Sequence, residues 1–281
     1  MGVVNITPDS FSDAGSFLDP HAAVAHGLTL LDEGADLLDL GAESTRPGSR
    51  AGGKGGSVKA PTVSAEEEQA RLLPVLEGIL SVRPDAIISV DTYKAATARA
   101  AFEAGAEIIN DVSGLTWDAG MAAVCAEIQA GVVLMHTRGR PADWRTQPQL
   151  APDALLRLVR EGLISSLAMA TAAGIPSEGI VLDPGYGFGK RFDENYGLLA
   201  RQAELLSLGQ PLLAGVSRKS FLGRTLAPLY DGIEAPADAR ENASLAAMTA
   251  AILRGGSIVR VHAVRRSVEA ARIADAILAA K

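Results

Sequence analysis

The sequence has little cysteine and no long apolar run, and each shortage excludes a class of protein. The single cysteine, Cys125, excludes a disulfide framework and a zinc site built from cysteines. No stretch reaches the ~20 consecutive apolar residues of a membrane span, and the first residues lack the basic and apolar segments of a signal peptide. We therefore expect a cytoplasmic protein with no membrane partner.

An excess of positive charge is also missing. The 281 residues include 26 Lys and Arg against 33 Asp and Glu, which gives a net charge of −7. An acidic chain is poorly suited to a phosphate backbone, so nucleic acid is not an expected partner. The apolar content of 48% excludes a disordered chain and is sufficient for a sizeable core.

Short runs rich in β-branched residues alternate with longer helical patterns along the whole chain. Eight runs have the apolar character of strands buried on both faces. They are Val3–Ile6, Asp36–Leu40, Ala86–Val90, Glu107–Ile109, Gly131–Met135, Gly179–Leu182, Pro211–Gly215 and Ser257–Val261.

Eight helical patterns lie between and after these runs. They are His21–Glu33, Ala65–Leu80, Lys94–Ala104, Ala119–Ala130, Pro152–Ala173, Asn195–Ser207, Ala239–Arg254 and Arg265–Ala280. Eight strand-then-helix units favour a single α/β domain, a (β/α)₈ TIM barrel over residues 1–281. The alternative is an open parallel sheet, which the absence of G-x-G-x-x-G after the first strand disfavours.

One segment has no hydrophobic period. Residues 49–61 are rich in glycine and basic residues, and they follow the second predicted strand. This composition predicts a flexible loop insertion between the second strand and the second helix.

Polar residues occur at the end of nearly every predicted strand. The carboxyl ends of barrel strands converge on one mouth, so these residues are expected to share a pocket. They are Asn5, the run Glu43-Ser44-Thr45-Arg46, Asp91, Asn110, His136, Asp183, the run Ser217-Arg218-Lys219, Arg260 and His262.

Taken singly, several of these residues have structural explanations. Asp91, Asn110 and Asp183 could cap helices or satisfy turns, and His262 could be a structural histidine. Arg260 is harder to explain in this way. The period of two along a strand separates Arg260 and His262 from the intervening valines, which places a cation and an imidazole towards the barrel mouth. A buried arginine needs an anionic or flat acceptor partner.

The chemistry of these side chains divides into four groups. Asp91, Asn110 and Asp183 offer carboxylates and an amide, which suit a flat heterocycle rich in N–H groups. A second group, the anion binders, suits a phosphate or pyrophosphate. Asn5 is the third and suits Mg²⁺, and the fourth is a helix start after Lys219, which suits a carboxylate. The anion binders are Thr45, Arg46, Arg260 and His262.

The same residues form motifs that resemble those of the dihydropteroate synthase family of pterin-binding proteins. The first block is residues 5–13, NITPDSFSD, and the second is residues 43–48, ESTRPG. Further blocks follow in the family's order: Val90-Asp91-Thr92, Ile109-Asn110-Asp111, Met135-His136, DPGYGFGK at 183–190, Ser217-Arg218-Lys219-Ser220 and Arg260-Val261-His262. The resemblance covers almost the whole chain.

The resemblance implies a transferase of folate biosynthesis. Such an enzyme joins 6-hydroxymethyl-7,8-dihydropterin diphosphate to 4-aminobenzoate and releases pyrophosphate. It implies an S_N1-like substitution assisted by Mg²⁺, a homodimer, and inhibition by sulfonamides. Members of the family also usually carry an N-terminal stretch over the barrel floor, and the resemblance predicts a barrel without that cover here.

The resemblance also implies a role for each matching residue. The pterin is assigned to Asp91, Asn110, Asp183, Lys219 and Arg260. The diphosphate is assigned to Asn5, Thr45, Arg46 and His262, with Asn5 also holding Mg²⁺. The 4-aminobenzoate is assigned to Phe11, Pro47 and Ser220. The catalytic set is Arg46, Lys219, Arg260 and His262.

Two other functions share parts of this pattern. A pterin-binding methyl-transfer domain would keep the acids and the asparagine but lack the Ser-Thr-Arg-Pro-Gly, Ser-Arg-Lys-Ser and Arg-x-His motifs, and this sequence has all three. A non-catalytic protein that only binds pterin phosphates would share every motif, so only an assay separates it from the enzyme.

Overall fold

The fold is that of a computed structural model, which describes residues 1–7, 19–44 and 63–280. Eight parallel strands form one sheet in chain order. They are β1 (Gly2–Asn5), β2 (Leu37–Gly41), β3 (Ile87–Asp91), β4 (Ile108–Asp111), β5 (Gly131–Met135), β6 (Ile180–Asp183), β7 (Leu212–Ala214) and β8 (Gly256–Val259).

The two outer strands of this sheet meet each other. The Val3 amide donates to the Val261 carbonyl at 3.0 Å, and the Val261 amide donates to the Met1 carbonyl at 3.0 Å. These bonds join the chain just after β8 to β1 in parallel. The predicted (β/α)₈ barrel is therefore confirmed, and the open sheet is excluded.

Helices surround the strands, and nine are present in the described part of the chain. They are α1 (Pro20–Asp32), α2 (Ala65–Val82), α3 (Ala95–Glu103), α4 (Met121–Ile128), α5 (Pro152–Ala173), α6 (Phe192–Ala200), α7 (Ser220–Thr225), α8 (Glu241–Leu253) and α9 (Val264–Ala279). Local signals define some of their ends. Ser64 Oγ accepts from the Glu67 amide at 3.1 Å at the start of α2, and Gly174 ends α5 with φ +91°.

The helices differ from the prediction in two places. The helix predicted at Asn195–Ser207 starts earlier, at Phe192, and its second half is a 3₁₀ helix over Gln202–Leu208. The helix start predicted after Lys219 is confirmed by α7, which is missing from the eight helical patterns because six residues are too few to show a helical period.

The inner faces of the strands change character along the barrel axis. Near the amino ends, inward side chains pack as an apolar group that we call the floor cluster: Met1, Leu37, Ile108, Val133, Val181, Leu213 and Ile258. Leu38 and Leu40 lie on the opposite face of β2, in the core shared with the helices. Towards the carboxyl ends the inner face becomes polar.

The predicted insertion at residues 49–61 lies outside the described residues, as does part of the first motif. Among the described residues, the helices include none with the length and apolar character needed to span a membrane.

Candidate active site at the carboxyl ends of the strands

The strand register places four positions from β1 to β4 side by side at one end of the barrel. Asn5 pairs with Gly41, Gly41 with Asp91, and Asp91 with Asn110. Asp91 closes β3, and Asn110 is the penultimate residue of β4. The predicted convergence on one mouth is therefore confirmed for the polar groups of β1, β3 and β4. His136, which was expected in the same pocket, instead packs its ring against Gly162 of α5.

Arg260 follows β8 and joins this row through two acids. Its Nε donates to Asp39 Oδ2 at 2.6 Å, and its Nη2 donates to Asp91 Oδ2 at 3.0 Å. Burial opposes the charged form of Arg260, but Asp39 and Asp91 more than compensate and raise its pKa. The guanidinium is thus held by two carboxylates from neighbouring strands.

Asp91 has an unusual protonation equilibrium. Its burial raises the pKa to about 7, and the charge of Asp39 acts in the same direction while Arg260 opposes it. The carboxyl group is therefore able to change protonation state near neutral pH. A strongly shifted carboxyl at a barrel mouth is typical of a functional site.

Asp183 makes the turn contact that its sequence suggested and keeps one carboxylate oxygen out of that contact. Its Oδ1 accepts from the Gly185 amide at 2.7 Å, which is the turn contact, and the side chain is only 6% exposed. Burial raises its pKa, while the Gly185 amide and Lys219 lower it. One carboxylate oxygen is thus engaged in the turn, and Oδ2 remains the oxygen that can meet a ligand.

Lys219 lies opposite these acids. Its Nζ is 3.9 Å from the centre of the Phe188 ring. Burial, followed by the nearby Arg260, lowers the pKa of Lys219 to about 8, although Asp183 and Asp91 oppose this shift. The site therefore has cations and acids in close opposition, with an aromatic ring beside them.

The residue before Lys219 has a strained backbone conformation. Arg218 has φ +58°, which is a left-handed conformation that non-glycine residues rarely adopt. The N-terminal region of α8 holds it there: the Arg218 amide donates to Ser244 Oγ at 2.9 Å, its Nε donates to Glu241 at 3.2 Å, and Arg240 donates to its carbonyl at 2.9 Å. Ser220 follows Lys219 as the first residue of α7 and is exposed.

His262 lies beside the same turn. Its Nδ1 is 2.9 Å from Ser217 Oγ, and its backbone amide donates to that hydroxyl at 3.3 Å. Val259 and Val261 belong to the apolar layer outside the strands. The predicted separation of the two valines from Arg260 and His262 is confirmed.

The second motif begins at a buried ion-pair network. Lys94 Nζ donates to Glu43 and, at 3.1 Å, to Glu68 Oε2, which also accepts from Thr97 Oγ1 at 2.7 Å. The position at which the chain enters the ESTRPG motif is therefore held by α2 and α3.

Other predicted site residues lie outside the described residues: Phe11, Thr45, Arg46 and Pro47. Their assigned roles remain predictions. The described residues include no cluster of three or more His, Cys, Asp or Glu that could hold a metal by themselves. Asn5 nevertheless fits Mg²⁺ delivered with a diphosphate, because Mg²⁺ commonly takes one or two protein oxygens and completes its shell with phosphates and water.

Sequence reasoning missed Asp39. It is fully buried in β2, where it accepts from Ser89 Oγ at 2.6 Å and from Asn110 Nδ2 at 3.1 Å in addition to Arg260. The available signal was an acid within the apolar run Leu37-Leu38-Asp39-Leu40, since a buried charge requires partners.

Comparison with known proteins agrees with this geometry. The family model for pterin binding enzymes matches residues 1–262. Dihydropteroate synthase of Mycobacterium leprae is 42% identical over 280 residues, which cover 99% of this chain and 93% of that protein.

Two solved structures of Xanthomonas albilineans dihydropteroate synthase are also similar. The one with 4-aminobenzoic acid has a TM-score of 0.84 at 40% identity and covers 99% of this chain and 92% of that chain. The one in complex with 7,8-dihydropteroate has a TM-score of 0.82 at 37% identity, with the same two coverages of 99% and 92%. On this evidence the chain belongs to the pterin binding enzyme family, and within it to the dihydropteroate synthases.

Proposed function

We propose that this chain joins 6-hydroxymethyl-7,8-dihydropterin diphosphate to 4-aminobenzoate, giving 7,8-dihydropteroate and pyrophosphate. The observation that carries the proposal is the convergence of Asp91, Asn110, Asp183, Lys219 and Arg260 at one end of the barrel. Two acids and an amide suit the N–H groups of a pterin edge. The relatives whose structures hold 4-aminobenzoic acid and 7,8-dihydropteroate support the same substrates.

The two acids would accept hydrogen bonds from the pterin, and the flat Arg260 guanidinium would stack on its ring. Lys219 would donate to an acceptor of the ring. Thr45, Arg46 and His262 would meet the phosphates, and Phe11, Pro47 and Ser220 would border the 4-aminobenzoate. Asn5 would help to hold Mg²⁺, which when bound supplies positive charge to the diphosphate.

The reaction would be an S_N1-like substitution. The bond between the pterin methylene carbon and the diphosphate oxygen breaks first, and both bonding electrons leave with pyrophosphate. The neutral aromatic amine then donates its lone pair to the cationic methylene, a C–N bond forms, and the amine loses a proton. The proposed site residues would stabilise charge and orient the substrates, so the proposal requires no strong general base.

The purified full chain, incubated with both substrates and Mg²⁺, should produce dihydropteroate, detected by mass spectrometry. The matched controls are Asp32→Asn, an exposed acid paired with Arg83 far from the mouth, and the pterin alcohol in place of its diphosphate. Asp32→Asn should be active, and the alcohol should give no product. Binding of the pterin diphosphate without product would favour the non-catalytic alternative.

The same assay tests two dependent proposals. Chelation of Mg²⁺ should abolish product formation, and sulfonamides should compete with 4-aminobenzoate. Unchanged turnover in excess chelator would contradict the role of Mg²⁺. A sulfonamide that does not raise the KM for 4-aminobenzoate would contradict the competition.

We also propose that the chain forms a homodimer. Leu229 and Ile233, between α7 and α8, are 78% and 71% exposed, and Tyr230 lies between them. Exposed apolar residues in a group of this kind are typical of protein interfaces. Light scattering should give twice the monomer mass, and Leu229→Asp/Ile233→Asp should give the monomer mass.

A further inference from the structure

Asp39 is a fully buried acid in β2 that touches side chains from three other strand segments. It accepts from Ser89 Oγ of β3 at 2.6 Å, from Asn110 Nδ2 of β4 at 3.1 Å, and from Arg260 Nε after β8 at 2.6 Å. The last two partners belong to the set proposed to bind the pterin. Asp39 has no exposed surface of its own, so it acts through these neighbours.

The contact with Arg260 fixes the plane of the guanidinium. Nε donates to Asp39 and Nη2 donates to Asp91, so two carboxylates bind two different nitrogens of one planar guanidinium. With a single carboxylate, the guanidinium could rotate about the remaining contact. Asp39 therefore determines which way the flat face of Arg260 is presented to a ligand.

The contact with Asn110 fixes the direction of an amide. A carboxylate only accepts hydrogen bonds, so the Asn110 side chain must turn Nδ2 towards Asp39. Oδ1 is then the atom that Asn110 can offer to a ligand as an acceptor. A rotated amide would offer a donor in its place and would oppose the N–H groups of a pterin edge.

The geometry points to Asp39 as a positioning residue that sets the guanidinium plane of Arg260 and the amide direction of Asn110, and thereby the hydrogen-bonding pattern that the pocket presents to the pterin ring. This inference rests on the proposed function, because it concerns recognition of the same substrate. It adds a residue that the motifs do not include.

Asp39→Asn is the informative variant. It keeps the size of the side chain, and its Oδ1 can still accept from Arg260 and Asn110 while its Nδ2 donates to the Ser89 hydroxyl. The variant therefore retains the buried hydrogen bonds and removes the charge. Ser89→Ala is the second variant, since it leaves the charge but releases one of the anchors of the Asp39 side chain.

The probe is 6-hydroxymethylpterin, titrated calorimetrically into the full chain. Asp39→Asn should weaken its binding about tenfold or more, and Ser89→Ala about threefold, whereas the exposed control Asp32→Asn should bind like the wild type. In the synthase assay, Asp39→Asn should raise the KM for the pterin diphosphate and leave the KM for 4-aminobenzoate unchanged.

Double-mutant cycles separate positioning from a general structural role. In an Arg260→Ala or Asn110→Ala background, Asp39→Asn should lower pterin affinity by less than about threefold, because the Arg260 or Asn110 side chain that Asp39 positions has been removed. Non-additivity with either partner supports the inference, and full additivity with both overturns it.

One result would overturn only the role of Asp39, and another would overturn the proposed function. A wild type that binds the pterin and makes product, with Asp39→Asn and Ser89→Ala indistinguishable from it, overturns the role of Asp39 alone. A wild type that binds no pterin overturns the proposed function and, with it, this inference.

Discussion

The floor and the mouth of the barrel are built from the same strands, yet they have opposite chemistry. The floor cluster contains only apolar side chains, such as Leu213 and Val133. A few residues further along the strands, inward positions carry acids, an amide and a guanidinium, which are held by one another. The apolar end can contribute to stability through burial alone, whereas the polar end keeps groups that burial disfavours.

This comparison implies that substitutions at the two ends have different consequences. Changes at the mouth should affect ligand binding more than stability, and changes at the floor should do the reverse. The following predictions test that separation.

The largest effect is expected for Asp183 at the mouth. Asp183→Asn keeps an oxygen for the Gly185 amide but replaces the other oxygen with a donor that opposes the pterin N–H groups. We expect pterin affinity to fall at least tenfold and product formation to be lost, with the melting temperature close to that of the wild type.

Asp183→Ala is its companion variant. It removes both contacts, so it should lose pterin affinity and also about 1–3 kcal/mol of folding free energy. Calorimetry and thermal unfolding of both variants provide the measurement. An Asp183→Asn variant with wild-type affinity would show that Asp183 serves only the turn.

Leu213→Ala tests the floor. Leu213 is fully buried in the floor cluster, so its truncation leaves a cavity and should cost about 2–5 kcal/mol in the free energy of unfolding. Pterin affinity of the folded fraction should change little. Denaturant unfolding and calorimetry on the same preparation would measure both quantities, and a large loss of affinity would break the separation between the two ends.

Pterin binding should depend on pH. The raised pKa values of Asp91, at about 7, and of Asp183 mean that both acids take up protons as the pH falls, and a protonated carboxyl accepts hydrogen bonds poorly. Affinity should therefore fall by up to about tenfold per pH unit below 7. Above pH 8, Lys219 loses its proton and affinity should decline again. A dissociation constant that stays constant between pH 5.5 and 9 would contradict these shifts.

The smallest effect concerns the strained Arg218. Arg218→Gly removes the backbone strain of the left-handed conformation but also loses the contact with Glu241. Because these two effects oppose each other, the free energy of unfolding should change little. Arg218→Ala loses the contact without relief and should be less stable than the glycine variant by about 1 kcal/mol. Equal unfolding free energies for the two variants would show that the backbone strain is negligible.

Much of the fold was predictable because its signals are local. Apolar strand runs, helical periods and caps such as Ser64 lie within a few residues of the elements that they define. The polar residues of the mouth were also predictable, because parallel strands must end at the same edge. The strand boundaries differ by one or two residues, which makes Asp91 and Asp183 the last residues of their strands.

The rest depends on contacts between distant parts of the sequence. Asp39 was missed because its partners Ser89, Asn110 and Arg260 are 50 to 221 residues away. The left-handed Arg218 was not predicted for the same reason, since α8 holds it in place. Side chains that position others leave no local pattern in the sequence.

The most direct test of the account is a crystal structure of the full chain with 6-hydroxymethylpterin bound. We predict that the pterin ring lies at the carboxyl ends of the strands, within hydrogen-bond distance of Asp91, Asn110 and Asp183 and stacked on Arg260. A pterin bound elsewhere on the barrel, or bound at this end without contact to these side chains, would contradict the account.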